Sequence, residues 1–253
     1  MRITAFVQVG LLVGAALPAA LAQGAMNKPP AGFTALFNGK DLSGWRGRQP
    51  DYNPATEKAL SPEDLAAKQA QWNAARDLHW KADADKGEIV SDGQSPHLAT
   101  IKDYGDFEVY VDWLMVNHNG DSGIYLRGYP QVQIWDPENP REVNNGAPKG
   151  SGALWNDNPD NPGKWPLVKA DKPVGEWNTF RVKMIGTRVW IWFNGQPTVD
   201  GAVLDNYFNR TAPIVTAGPI CLQTHGSEIR FRNIYVREIP AAEAKATLDK
   251  IGH

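Results

Sequence analysis

The sequence predicts an all-β protein, a sandwich of two antiparallel sheets with one inserted helix. Three observations lead there. From His79 onward, runs of alternating apolar and polar residues, several of them seven to ten residues long, follow one another almost to the end of the chain. That is the period of a half-buried strand. Turn signals punctuate the runs, chiefly Asn194-Gly195 and Gly128-Tyr129-Pro130. Only Ser61–Arg76 carries a convincing helix pattern. Long alternating strands suit two stacked sheets, and no internal repeat is visible.

The chain begins with a targeting pattern. Arg2 supplies a short positive region, Ala5–Leu17 an apolar run too short for a bilayer span, and Ala20-Leu21-Ala22 the small-x-small signal that signal peptidase reads. Cleavage is predicted after Ala22, giving a periplasmic or secreted protein of about 230 residues. No cysteine follows the run, so a lipid anchor is not expected. Residues 23–31 form a Pro-rich leader. Gly32–Trp45 holds a short apolar strand and then Asn-Gly and Ser-Gly turns, and Arg46–Thr56, with two prolines, reads as a loop.

The helix at Ser61–Arg76 has Ser61 as N-cap, Pro62 at its first position, and Glu63 and Asp64 at the positive end of its dipole. Its apolar face is thin, so it should pack on the body through Leu65 and Trp72. Candidate strands follow at Glu88–Val90, His97–Thr100, Phe107–Val116, Ser122–Arg127, Gln131–Trp135, Thr179–Ile185, Arg188–Phe193, Ile220–Thr224 and Ile229–Arg237. Pro137–Pro173 breaks the pattern with seven prolines and many Asn, Asp and Gly residues. A loop of that length is usually functional or disordered; here it is expected to be ordered and to wall the site. Residues 240–253 form a tail in which Ala241–Ile251 reads as a short helix.

Composition narrows the function. The net charge of −2, with no basic stretch, argues against nucleic acid and anionic membrane surfaces as partners. The one cysteine, Cys221, allows no internal disulfide, so a packed core must stabilise the fold; in its apolar strand it reads as a buried small residue. Ten tryptophans are a high count for this length; some are expected to fill the core, and indole also suits the C–H faces of sugars.

The segment Gly120–Asp136 is the most informative. Strand side chains alternate between faces. Ile124, Leu126, Val132 and Ile134 therefore make an aliphatic face, against Tyr125, Arg127, Gln131, Gln133 and Trp135 on the other. Aromatic, guanidinium, amide and indole groups together give the composition of a carbohydrate-binding surface.

GFTALFNGKDLSGW, YGDFEVYVDW, GDSGIYLRGYPQVQIWD, PVGEWNTFRVKMIGTRVWIWFNGQ and ICLQTHGSEIRFRNIYVREI occur in this order. Together they resemble the 3-keto-disaccharide hydrolase family, over a domain of residues 32–239. The resemblance implies a concanavalin A-like jelly roll with ligands on its concave face, and cleavage of glycosides whose sugar is oxidised to a ketone at carbon 3, by hydrolysis or by elimination and hydration. Two features depart from the family. Gln131 stands where a carboxylate often begins the Glu-x-Gln-Ile strand, and the helix at Ser61–Arg76 looks like an insertion.

A ketone at carbon 3 acidifies the proton on carbon 2, and the enolate can expel the group on carbon 1. This needs a base, donors or a cation for the enolate oxygen, and an acid for the leaving oxygen; two carboxylates acting by displacement are the alternative. Parity puts Cys221, Gln223 and His225 on one face and Glu108, Tyr110 and Asp112 opposite the core. The expected catalytic residues are His225 as base, acid or metal ligand, Asp112, Arg127 as substrate or enolate binder, and Glu142 as a second carboxylate. Expected sugar binders are Tyr125, Gln131, Gln133, Trp135, Trp155 and Gln223. The proposed partner is a small carbohydrate. No cofactor is called for; a divalent cation on His225 remains an option, without assigned ligands. A non-catalytic carbohydrate-binding module stays open as the alternative. A glucanase-like hydrolase is disfavoured, since no strand carries Glu-x-Asp-x-x-Glu.

Overall fold

The computed structural model describes residues 26–50, 53–129 and 131–251; the signal peptide expected at 1–22 lies outside them. The strands run β1 (Thr34–Ala35), β2 (Trp45–Arg48), β3 (Trp80–Asp83), β4 (Glu88–Ser91), β5 (His97–Thr100), β6 (Phe107–Met115), β7 (Asp121–Tyr125), β8 (Gln131–Trp135), β9 (Asn178–Ile185), β10 (Arg188–Phe193), β11 (Gln196–Val203), β12 (Cys221–Leu222) and β13 (Ile229–Glu238). Three α-helices accompany them among the described residues: α1 (Pro54–Lys58), α2 (Pro62–His79) and α3 (Ala241–Asp249). None is long and apolar enough to cross a membrane.

Two antiparallel sheets result, as the alternating strands predict. One is eight-stranded in the order β11-β10-β9-β6-β13-β4-β3, with β1 also paired to β13; the other is five-stranded, β2-β5-β12-β7-β8. Central neighbours such as β6 and β13 or β5 and β12 are far apart in chain order, the mark of a jelly roll rather than a meander. The core lies between the sheets. Phe107, Val109, Val111 and Trp113 enter it from β6, and Leu98, Ile124, Val132, Ile134 and Leu222 from the opposing sheet. Each such aliphatic side chain, removed fully from water, stabilises the fold by about 1.5–3 kcal/mol.

The segment Arg46–Thr56, expected to be a loop, instead contains β2 and α1. The reason is tertiary. Helix α2 lies along β2, the exposed edge of the five-stranded sheet: Asn73 Oδ1 accepts from the Gly47 amide, Gln69 Nε2 donates to Gly47 O, and Arg76 Nη1 donates to Trp45 O. Side chains of a helix thus satisfy an edge that water or another chain would otherwise meet. Approach this close demands glycine at position 47, where a Cβ would lie 2.1 Å from Trp72 O. Ser61 caps α2 through its hydroxyl, accepting from the Asp64 amide at 3.1 Å, and Trp72 is the helix's buried anchor, with Leu65 half-buried. The other edge, β8, is covered by the long loop: Gln133 N donates to Ala153 O and Gly152 N to Gln133 O, both at 2.9 Å.

Candidate functional site

The face of the five-stranded sheet turned away from the core carries a dense set of polar side chains. Antiparallel register puts Cα partners on the same face. Arg46, Ala99, Cys221, Tyr125 and Gln131 therefore form one row across all five strands. Arg48 and His97 pair in the next row, which runs on through Gln223 and Gly123 to Gln133. Asp121 and Trp135 pair beyond it, with His225 beside them.

A hydrogen-bonded chain crosses this face. His225 Nδ1 lies 2.8 Å from Asp121 Oδ2, Asp121 Oδ1 accepts from Gln133 Nε2 at 2.7 Å, and Gln133 Oε1 accepts from Gln131 Nε2. A carboxylate only accepts, which fixes the Gln133 amide with its nitrogen toward Asp121. Its oxygen then takes the Gln131 nitrogen, and Gln131 Oε1 is left without a partner. Burial raises the Asp121 carboxyl above its ordinary value; hydrogen bonding from His225 and Gln133 opposes the rise, and the Glu142 charge adds to it. The His225 side chain is 58% exposed, whereas Gln131, Gln133, Gln223 and Tyr125 are buried, so the face opens to solvent at the His225 end.

Deeper in, His97 stacks on Tyr125 with ring centres 5.3 Å apart. Its Nδ1 accepts from the Thr224 amide at 3.3 Å, and its Nε2 has no partner. Burial, helped by Arg48 and His225, holds its pKa down to about 3, so the ring is neutral. Gln223 Oε1 is likewise unpartnered, while Gln223 Nε2 reaches the Tyr125 hydroxyl at 3.4 Å. Glycine at 123 lets the two amides lean over the strand: a Cβ there would lie 3.0 Å from Gln131 Cδ and 3.1 Å from Gln223 Oε1.

The β2 end is closed by α1. Glu57 takes Arg46 Nη2 at 2.6 Å and Arg48 Nε at 2.8 Å. Burial opposes ionisation of Glu57, but Arg48 and Arg46 outweigh it and hold its carboxyl below the usual value. Burial pushes the Cys221 thiol up against the pull of Arg48, so Cys221 is a protonated, buried residue.

Of the residues expected from sequence, His225, Tyr125, Gln131, Gln133, Trp135 and Gln223 meet on this face. Glu142 and Trp155 approach its rim on the long loop. Glu142 is close enough to Asp121 for its charge to act there, and Trp155 meets Trp135 edge-on at 6.2 Å and donates through Nε1 to Asn145 O. Trp135 itself is buried, which leaves its ring little surface for a sugar.

Asp112 and Arg127 lie elsewhere. Asp112 is on β6, on the outer face of the other sheet, where it accepts from Thr179 Oγ1 at 2.6 Å and Asn233 Nδ2 at 2.8 Å. Parity alone could not say which sheet owned its strand. Arg127 falls just past the end of β7 with φ at 54°, so alternation no longer governs its direction. Its buried guanidinium donates to Gly105 O, Gly186 O, Val215 O and Asp106 Oδ1, tying the strand end to the β9–β10 turn.

Sequence reasoning passed over Asp121, His97, Arg46, Arg48 and Glu57. Alternation carried a signal for most of these: Asp121 shares parity with Gly123 and Tyr125, His97 alternates with Ala99, and Arg46 and Arg48 flank Gly47. Among the described residues no group of three or more His, Cys, Asp or Glu is arranged to hold a metal ion, so the cation considered for His225 finds no ligand set there. Two hollows lie elsewhere, one of about 540 Å³ beside Trp45 and Arg76 and one of about 520 Å³ beside Lys58 and Tyr129. Neither is lined by an unpartnered buried polar side chain of the kind seen at His97, Gln131 and Gln223. Chemistry rather than size therefore marks the site.

No curated protein matches the chain. Two solved structures from Parabacteroides distasonis ATCC 8503, both provisionally described as glycosyl hydrolases, share its fold. One is 21% identical with a TM-score of 0.60, covering 85% of this chain and 100% of its own. The other is 22% identical with a TM-score of 0.50, covering 64% and 91%. The model of the 3-keto-alpha-glucoside-1,2-lyase-like domain matches residues 32–237, from just before β1 to the end of β13. The chain thus belongs to the 3-keto-alpha-glucoside-1,2-lyase-like family, a group of carbohydrate-active domains.

Proposed function

We propose that this protein is a secreted or periplasmic enzyme that cleaves 3-keto-glycosides on the polar face of its five-stranded sheet, beginning with removal of the carbon-2 proton. The observation that carries this reading is the His225–Asp121 pair at the open end of a buried polar face. With the Nδ1 proton donated to Asp121, Nε2 is the nitrogen that can accept a proton, and the carboxylate stabilises the imidazolium that forms. Asp121 in turn is held by Gln133, so the glutamines of β8 orient the base rather than titrate.

The electrons balance as follows. The carbon-2 proton passes to His225 Nε2, and the C–H pair becomes the C2=C3 bond as the carbonyl pair moves onto oxygen 3. That pair then re-forms the carbonyl, a C1=C2 bond forms, and the bond from carbon 1 to the leaving oxygen breaks. The leaving oxygen takes a proton from the His225 imidazolium. Water addition across the resulting enone gives the products of hydrolysis. The family's lyase-like description and the names of both Parabacteroides relatives agree with glycoside cleavage.

The test supplies purified protein with 3-keto-trehalose, 3-keto-lactose and an aryl 3-keto-glucoside, each beside its unoxidised parent, with and without divalent metal. Cleavage of at least one keto-glycoside, with the parents left intact, is expected. Binding of plain oligosaccharides without turnover of any keto compound would overturn the reading in favour of a carbohydrate-binding module.

A further inference from the structure

We infer that His97 is a catalytic residue, a neutral imidazole whose Nε2–H donates to the carbon-3 oxygen of the substrate and holds the enolate as it forms. The inference rests on the proposed keto-glycoside reaction and assigns the group that stabilises its intermediate.

Three observations on different atoms lead to it. First, the tautomer is fixed by the fold. The Thr224 amide donates to Nδ1, so the ring proton sits on Nε2. Second, this N–H is unpartnered although the side chain is only 2% exposed. Leaving a buried donor unmade is expensive, and native folds seldom do so without use for the group. Third, the atoms beside it complement a keto sugar. Gln223 in the His97 row and Gln131 in the adjoining row, each with an unpartnered Oε1, lean over Gly123. A 3-keto pyranose presents one acceptor, the ketone, between two donors, the hydroxyls on carbons 2 and 4. His97 on β5 can meet the ketone while Gln223 Oε1 next to it, and Gln131 Oε1 further across on β8, take hydroxyl protons on one side of the ketone.

A neutral ring suits the role better than a charged one. It donates a hydrogen bond to an oxyanion without giving up the proton, and it leaves His225 as the group that moves protons. Burial holds its pKa down to about 3, so the ring is neutral near pH 7, and stacking on Tyr125 fixes the ring plane. The competing explanation is structural: a small shift could let Nε2–H bond Gln223 Oε1, its neighbour in the row, with no part in catalysis.

The experiment separates the two. Wild-type protein is first shown to turn over an aryl 3-keto-glucoside. His97→Leu should then lower kcat by about 10²–10³-fold, with KM within about threefold and a modestly lower melting temperature, because the Thr224 amide loses its acceptor. His97→Gln, whose amide nitrogen can approach the position of Nε2, should recover about tenfold of the loss. A His97→Leu protein that keeps kcat within about threefold overturns the role of His97 while leaving the proposed reaction standing. Failure of the wild type on every keto-glycoside removes the reaction itself. Should His97→Leu not fold, heteronuclear NMR on isotope-labelled histidines decides, using His225→Ala protein so that substrate persists. The His97 Nε2–H signal should shift on adding methyl 3-keto-glucoside and stay in place with methyl glucoside; a signal unmoved by the keto sugar overturns the inference.

Discussion

On the outer face of the eight-stranded sheet, Glu108 lies between Arg181 Nε at 2.5 Å and Arg237 Nη2 at 2.8 Å, and Asp112 lies between Thr179 and Asn233. Arg181 covers the Trp192 ring, and Arg232 sits 3.9 Å from both the Trp177 ring centre and Asp112. One buried atom there, Arg232 Nε, has no hydrogen-bond partner, whereas on the outer face of the five-stranded sheet three such atoms lie on His97, Gln131 and Gln223. Both faces come from strands with the same apolar–polar alternation. The difference teaches that alternation locates surfaces, whereas unfilled hydrogen-bonding capacity locates a site. The eight-stranded face pairs most of its charged groups with one another, and the five-stranded face keeps a neutral donor and two acceptors unpaired.

The largest expected contrast sets one residue of each face against the other. His225→Ala should lower kcat/KM on a 3-keto-glycoside by about 10³-fold, the scale of a lost general base. Its melting temperature should hardly change, because the ring is mostly exposed. Glu108→Gln should do the reverse. It leaves Arg181 and Arg237 without their shared carboxylate at a buried position and should cost about 2–4 kcal/mol in denaturant unfolding, with kcat/KM unchanged. Loss of activity in Glu108→Gln beyond its loss of folded protein would mean that the two faces are not independent.

The sequence made much of this legible. The strands His97–Thr100, Gln131–Trp135 and Arg188–Phe193 have the bounds that alternation predicts, and Ser61 caps the helix expected of it. Parity put Gln131 and Gln133 on one face of their strand and Gln223 on the same face of its own as His225, and the pairing of β12 and β8 with β7 brings the two together. What stayed hidden is what depends on pairing between distant strands. Whether β6 or β7 lies beside β12 is decided by crossovers, so Asp112 and Asp121, equally good carboxylates by parity, could not be ranked. Strand ends were hidden too. Arg127 sits beyond a backbone turn that alternation does not register, and β2 is a short strand paired to β5 whose other edge is satisfied by α2 side chains.

A smaller effect probes the same contrast through pH. His97 has a folded-state pKa of about 3 against about 6.5 when unfolded, so folding favours the uncharged ring. Its contribution is complete above about pH 6.5 and is lost as pH falls toward 3, amounting to about 2–3 kcal/mol by pH 4.5. Asp121 acts in the opposite sense, because a carboxyl raised by burial makes the folded state take up protons more readily on acidification. The difference between wild type and His97→Leu isolates the histidine. Urea unfolding from pH 7 to 4.5 should show a steeper loss for wild type, and parallel curves for the two proteins would mean that His97 is protonated without penalty.

The smallest expected effect falls on Asp112, and it bears directly on which sheet does chemistry. Its two carboxylate oxygens accept from a hydroxyl and an amide, and Arg232 stands at 3.9 Å, too far for a strong hydrogen bond. Asp112→Asn preserves the shape and one acceptor oxygen, but its new amide group must face the Asn233 Nδ2 donor or turn toward Thr179, whose hydroxyl can rotate to accept. One hydrogen bond is weakened and none of the buried core moves, so a loss of about 1 kcal/mol is expected. Since Asp112 lies across the sandwich from His225, turnover should be that of the wild type at equal concentrations of folded protein. A selective fall in kcat would show that the outer face of the eight-stranded sheet reaches the reaction after all, and that the two carboxylates cannot be told apart by which sheet holds them.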